Sequence, residues 1–199
     1  ETGACEDRTI AEFPLKQTKS PILFKKLILN GPHIHTGNPL FKTPNNPCKS
    51  KGDWVPVDLN IISDDFIPRC KYHQQCDDQT FADRQTKCSW DNQSFSNHWK
   101  LSYRSLVSID GERSLQCAIY PPGVSHINNI DSIVIKDKSQ LPTLTGLFSS
   151  LPEDAYLKLL AKPKLHVSII ESLPISDYGI RNSAVRILSL IHISEPTRP

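Results

Sequence analysis

The chain has 199 residues, enough for one domain with a real core or one domain plus a tail. Hydrophobic content of 38% and charged content of 22% are ordinary for a globular domain, and a net charge of +2 does not by itself demand a nucleic acid partner. No apolar run approaches the roughly 18 residues of a membrane span and no signal peptide is visible, so no membrane partner and a cytoplasmic location are expected.

The absence of methionine makes the chain read as a fragment or a processed form. Its 6 cysteines are Cys5, Cys48, Cys70, Cys76, Cys88 and Cys117. An even count suits disulfides, but the density lies well below the roughly 8–10% of a disulfide scaffold. Cys117 sits inside an apolar run, where a thiol acts as a small hydrophobe. Free thiols are the expectation.

In chain order, residues 1–26 form a polar lead-in whose end, from Pro21, begins an apolar stretch running to Leu29, either strand or short helix. Residues 30–54 are dense in glycine and proline and read as a long structured loop or a set of short strands. Val55–Leu59 is a strand candidate, and residues 70–98 read as a polar insert. Trp99–Ile109 alternates as a strand, with Leu101, Tyr103, Ser105 and Val107 on one face. Leu115–Tyr120, the stop Pro121-Pro122-Gly123 and Ile127–Ile135 read as strand, turn, strand, with Arg113, His126, Asn128 and Asn129 reaching outward. From Leu141 to Leu160 the apolar spacing becomes helical, and Pro152 starts a new helix with Glu153 and Asp154 in its first turn. His166–Leu173 is a further short helix or turn, and Arg181–Ile187 begins another apolar segment. Leu188–Arg198 looks like a translated sequencing adapter, so residues 188–199 are read as a tail that is not natural protein.

Several blocks carry a family resemblance. Residues Gly111–Ile133, GERSLQCAIYPPGVSHINNIDSI, resemble the target-recognition region of large adenine-specific DNA methyltransferases, the type IIG restriction–methylases and phage-exclusion methylases. Leu29–Arg69, Leu101–Asn128, Gly146–Leu160 and Leu165–Ile175 resemble further blocks of that region in the same order, so the likeness spans about residues 27–187. The last block is also similar to specificity subunits of type I restriction systems. Residues 70–98 and the segment Ala161–His166 depart from the pattern. The resemblance implies an α+β fold, a mixed twisted β-sheet recognition domain with C-terminal helices, over residues 27–187, with 70–98 as a variable insert. It implies sequence recognition on double-stranded DNA, beside an N-terminal methyltransferase domain of the same chain that uses S-adenosylmethionine. No cofactor is expected in this fragment. Asn38-Pro39-Leu40-Phe41 resembles the Asn-Pro-Pro-Phe/Tyr motif that holds the target amine. Leu40 replaces the second proline and no glycine-rich cofactor turn precedes it, so Asn38 is read as fixing a turn and no catalytic residue is assigned.

The candidate DNA-binding residues are Lys42, Lys49, Lys51, Arg69, Lys71, Arg104, Arg113 and His126. Lysine and arginine bind phosphate oxygens, and arginine also reads base edges. Arg69 and Arg113 have a structural alternative, pairing with Asp64, Asp65 or Glu112. Cys70, His73, Cys76 and Cys88 offer zinc-type ligands at a spacing that matches no standard pattern, and His33 and His35 would share a face on a strand; no metal ligand is assigned. The rival class is a secreted disulfide-bonded ectodomain with a binding role, suggested by the cysteine count, the sequon Asn92-Gln93-Ser94 and a leading Glu1-Thr2-Gly3 resembling a vector scar.

Overall fold

Leu101, Tyr103, Cys117, Ile119 and Ile133 alternate with polar or small residues along three strands, and that period of two builds the centre of the fold. A computed structural model describes residues 3–5, 27–36, 38, 40–64, 66–72, 77–127 and 129–174. Most of the lead-in, His73, Cys76, Asn128, the Arg181–Ile187 segment and the 188–199 tail lie outside the described residues. The architecture is α+β. An antiparallel sheet of four strands has the order β1-β8-β5-β6, with β1 Gly3–Cys5, β5 Lys100–Arg104, β6 Cys117–Tyr120 and β8 Ile130–Val134. Two short pairs accompany it: β2 (Ile28–Leu29) runs parallel to β7 (Ser125–His126), and β3 (Lys42–Pro44) runs antiparallel to β4 (Trp54–Pro56). The helices are α1 (Asp78–Arg84), α2 (Leu141–Phe148), α3 (Leu151–Leu160) and α4 (Val167–Glu171).

The apolar face of the sheet packs under α2, α3 and α4. Leu141, Phe148, Leu157, Leu165, Ile170 and Leu173 bury against Leu101, Tyr103, Cys117 and Ile133. The rings of Tyr103 and Phe148 meet edge to face at 6.3 Å. Beyond β5 the chain is clasped to the helical layer: the Leu165 N–H donates to the Ser105 carbonyl at 2.8 Å, and the Val107 N–H to the Pro163 carbonyl at 3.0 Å. The expected strand from Trp99 to Ile109 therefore ends at Arg104: the Ser105 N–H still reaches the Asn129 carbonyl at 3.1 Å, but the Ser105 carbonyl and the Val107 N–H turn to residues 163–165. The shared face of Leu101 and Tyr103 is as the alternation implies.

The strand, turn, strand reading of 115–135 holds, with β6 and β8 inside the two runs and β7 added between them. Gly123 takes φ 91°, a left-handed value that suits glycine, and its N–H donates to the Ser96 carbonyl at 2.8 Å. The chain leaving this turn does not return alongside β6. It forms β7 against β2, and β8 then lies on the far side of β5, which separates the two strands. Residues 70–98 are likewise not a polar excursion. They hold α1 and a 3-10 turn at Phe95–Asn97, and they bury Phe81, Gln85, Cys88, Ser94, Phe95 and Ser96. Their polar side chains bond inward: Gln85 donates to Ser125 Oγ at 3.1 Å and accepts from the Ser94 hydroxyl. Helix α3 starts with Pro152 in its first turn, as expected, and α4 fills the expected short helix before Pro174.

Helix α3 ends on Ala161 at φ 49°, a left-handed cap that usually falls to glycine. A β-carbon there meets steric cost that glycine avoids. Ala161→Gly is expected to raise stability by about 0.5–1 kcal/mol, after the larger chain entropy of glycine is counted. A urea denaturation midpoint at or below that of the parent would contradict the account.

Candidate nucleic-acid interface

The loop between β3 and β4 closes on itself. The Asn45 N–H donates to the Asp53 carbonyl at 2.7 Å. One Asp53 carboxylate oxygen accepts from the Lys49 N–H at 2.7 Å and the Ser50 N–H at 2.6 Å. Those bonds, the Ser50 N–H first, hold the Asp53 carboxyl below its ordinary range. Ser50 in turn accepts from the Gly52 N–H at 3.2 Å and starts the 3-10 turn Lys51–Asp53. With the backbone satisfied internally, Lys49 and Lys51 stand exposed at the tip. Lys42 opens β3 opposite Pro56, its ammonium 5.2 Å from the centroid of the Phe41 ring.

Arg69 is tied to the same hairpin through its backbone. Its N–H donates to Thr43 Oγ1 at 3.0 Å, and its carbonyl accepts from His33 Nε2 at 3.0 Å. That leaves its side chain exposed. Lys71 follows two residues on, 5.6 Å from the Tyr72 ring centroid. The fold thus gathers Lys42, Lys49, Lys51, Arg69 and Lys71 on one stapled hairpin and the strip laid against it. Acidic residues Asp58 and Asp64 share the region, so the surface is a set of projecting cations and not a uniform basic field.

His33 is the staple. It is fully buried, its ring meets Trp54 edge to face at 4.7 Å, and Nδ1 accepts from the Asn30 N–H at 2.9 Å. Both ring nitrogens are committed to backbone, and the ring lies in a 3-10 turn, not on a strand, so no metal pair with His35 forms. Gly31 opens this turn against Asn129, whose β-carbon would lie 3.3 Å from one added at Gly31. Asn38 does fix a turn: its Oδ1 accepts from the Leu40 N–H at 3.0 Å, and its amide donates to the Val57 carbonyl at 3.4 Å.

The remaining candidates lie elsewhere. Arg104 ends β5, donates to Gln116 Oε1 at 2.5 Å and is half-buried, which pushes its pKa down. Arg113 is half-buried, and its charge is one of the influences that lower the Asp154 carboxyl. Asp154 is the buttress of that corner. It accepts from the Ser114 N–H at 2.5 Å and pairs with Lys158 at 2.9 Å. Burial alone would raise its carboxyl pKa, but the Ser114 N–H, Lys158 and Arg113 outweigh it and hold the group low.

His126 reverses the expectation that it reaches outward: it is completely buried on β7. Sequence reasoning missed the arrangement it belongs to. Lys100, Ser102, Arg104 and Ser132 occupy the second face of the sheet, and Lys100, Ser102 and Ser132 are sealed beneath β2, β7 and the 94–97 turn. The Ser102 and Ser132 hydroxyls meet at 2.7 Å, and Ser132 Oγ meets His126 Nε2 at 2.7 Å. Burial first, then the charge of Lys100, lowers the His126 pKa to about 3. The Lys100 ammonium stands 5.3 Å from the Phe95 ring centroid. At 0% and 1% exposure, His126 and Ser132 are closed to substrate, so this serine–histidine pair is structural. A lysine and two serines alternating with apolar residues read as a solvated face, and no local signal marks them as covered.

Cys48, Cys70 and Cys117 are buried thiols outside any disulfide. Burial pushes the Cys70 and Cys117 thiols up to about 11, so they stay protonated and unreactive. Cys70 and Cys88 sit in separate apolar clusters, and with His73 and Cys76 outside the described residues nothing joins the four. No helix among the described residues is long and apolar enough to cross a membrane. Comparison with family models, with curated proteins and with solved structures gives no match to this chain.

The staple makes a pH prediction. Burial lowers His33 from 6.5 to about 4, against two backbone hydrogen bonds that raise it. Between those values the unfolded chain binds more protons than the folded one, so stability falls as the pH drops through the window. The loss reaches about 3 kcal/mol below it. Denaturation midpoints measured between about pH 7 and about pH 4 should show this slope, and His33→Gln should flatten it. An equal slope in the variant would remove His33 from the account.

Proposed function

We propose that this chain serves as a DNA target-recognition module of an adenine-specific DNA methyltransferase, of the restriction–methylase or phage-exclusion kind that its sequence blocks resemble. The observation that carries the reading is the stapled hairpin. Lys42, Lys49, Lys51, Arg69 and Lys71 project from a frame whose backbone hydrogen bonds are closed by Asp53, Thr43 and His33. Cations on a pre-shaped frame bind phosphates with little ordering cost, and an exposed arginine beside them can read guanine. The α+β layering is compatible with a recognition domain like those of type I specificity subunits. Arg104 and Arg113 act as framework in this reading, and His126 as core. Methyl transfer from S-adenosylmethionine belongs to a catalytic domain elsewhere in the parent protein, which takes the adenine out of the stack. The buried thiols of Cys48, Cys70 and Cys117 favour this reading over a disulfide-bonded ectodomain.

Fluorescence anisotropy with duplex DNA across a salt series tests it. Affinity should fall linearly on a log–log plot, and Lys49→Ala with Lys51→Ala should lower the slope by about 2, at roughly 0.9 for each phosphate no longer neutralised. Both side chains are exposed, so the fold is kept. Binding that ignores both salt and duplex sequence would overturn the proposal.

A further inference from the structure

The turn from Lys87 to Ser94 brings three metal-type ligands together. Lys87 and Ser94 form a β-bridge, the Cys88 N–H donates to the Gln93 carbonyl at 2.8 Å, and the Asn92 N–H returns to the Cys88 carbonyl at 2.9 Å. Asn92 takes the left-handed φ of 56° that closes the turn. The 3-10 turn Phe95–Asn97 then reverses the chain, and the His98 N–H caps it on the Phe95 carbonyl at 3.2 Å. Asp91 divides its carboxylate: Oδ1 accepts from the Gln93 N–H at 3.0 Å, and Oδ2 lies 3.3 Å from His98 Nε2. The Cys88 sulfur completes the group, with all three ligand atoms within 4.8 Å of one another. Trp90 packs edge-on against the His98 ring at 5.8 Å and shields one side.

We propose that Cys88 Sγ, Asp91 Oδ2 and His98 Nε2 form a site for a zinc-class divalent metal ion, its fourth position open to water. Sulfur, imidazole and carboxylate at bond lengths of about 2.0–2.3 Å are the donors zinc takes, and two such donors on one tetrahedral ion lie about 3.3–3.5 Å apart. The Asp91–His98 separation already has that value, and the Cys88 sulfur, within 4.8 Å of both, closes on it through side-chain rotation. The plain alternative is that Asp91 and His98 form only an ion pair across the turn. The metal site stands independently of the DNA reading, because it rests on different residues.

Cobalt(II) added to the full chain distinguishes the two. One equivalent should bind and give a thiolate-to-metal charge-transfer absorption with tetrahedral visible bands, displaced by zinc. Cys88→Ser should abolish the charge-transfer band. Asp91→Asn and His98→Gln should weaken binding by about tenfold or more, and Cys70→Ser should change nothing. Asp91 is exposed, so its variant reports on the site even if Cys88→Ser disturbs packing. No charge-transfer band in the parent, a band that survives Cys88→Ser, unchanged affinity in Asp91→Asn, or a band lost in Cys70→Ser would each overturn the proposal.

Discussion

The sheet is buried on both faces while one face mixes buried polar groups with apolar ones, and the rest of the structure follows from that constraint. Leu101, Tyr103, Cys117 and Ile133 meet α2, α3 and α4 as any amphipathic sheet meets helices. The other face carries Lys100, Ser102 and Ser132 at 0–1% exposure. Removing those groups from water is tolerable only if they bond to one another or to the covering layer. The Ser102–Ser132–His126 chain does this for the hydroxyls, and His126 must come from β7 to complete it. The layer over this face is therefore held by complementarity of polar groups as well as by Leu27, Leu29, Ile34 and Val124 packing on Ala118, Tyr120 and Ile130.

That polar seal also makes displacement of the covering layer costly. A half-satisfied buried network is worse than an apolar one, so displacement of β7 or of the 94–97 turn exposes several unpaired groups together. The same layer carries His33, whose backbone bonds fix the strip at Arg69 against β3. The basic hairpin is thus anchored at its base by a buried neutral imidazole and at its tip by a backbone-bound carboxylate. Lys49 and Lys51 stand exposed at the tip of that frame.

What was legible in the sequence was what local chemistry decides. Pro152 with Glu153 and Asp154 announced the start of α3, and the short helix at 167–171 lay within the span expected from His166 to Leu173. Asn38 announced a turn through its own side chain. Cys117 in an apolar strand announced a buried thiol. What failed needed knowledge of a partner layer. His126, next to a proline–glycine turn, had the surroundings of a surface residue and became core because β2 pairs with β7. Residues 70–98 were too polar to look like a wall of the core, since their burial rests on Gln85, Ser94 and Ser125 satisfying one another. Arg113 was expected to reach outward and is half-buried, near enough for its charge to act on Asp154, far along the chain. The candidate hairpin was partly legible: its lysines were named, but Thr43 and His33, which make it one body with Arg69, carry no cationic signal.

The two layers impose different demands on the segment from Lys87 to His98. It must present Ser94, Phe95 and Ser96 inward, where Ser94 bonds Gln85 and Phe95 lies 5.8 Å from the His126 ring. It must also bring the exposed Asp91 and the half-buried His98 to the buried Cys88 around a tight turn. The outer half of this turn is held by backbone hydrogen bonds at Cys88, Asn92 and Gln93, and by the Asp91–His98 contact, which is of small worth. A metal ion bound by the three ligands would hold that half directly and, through Phe95, the lid over Lys100 and His126. The order of dependence then runs from a coordination site, through an aromatic ring, to the polar seam on which the sheet relies.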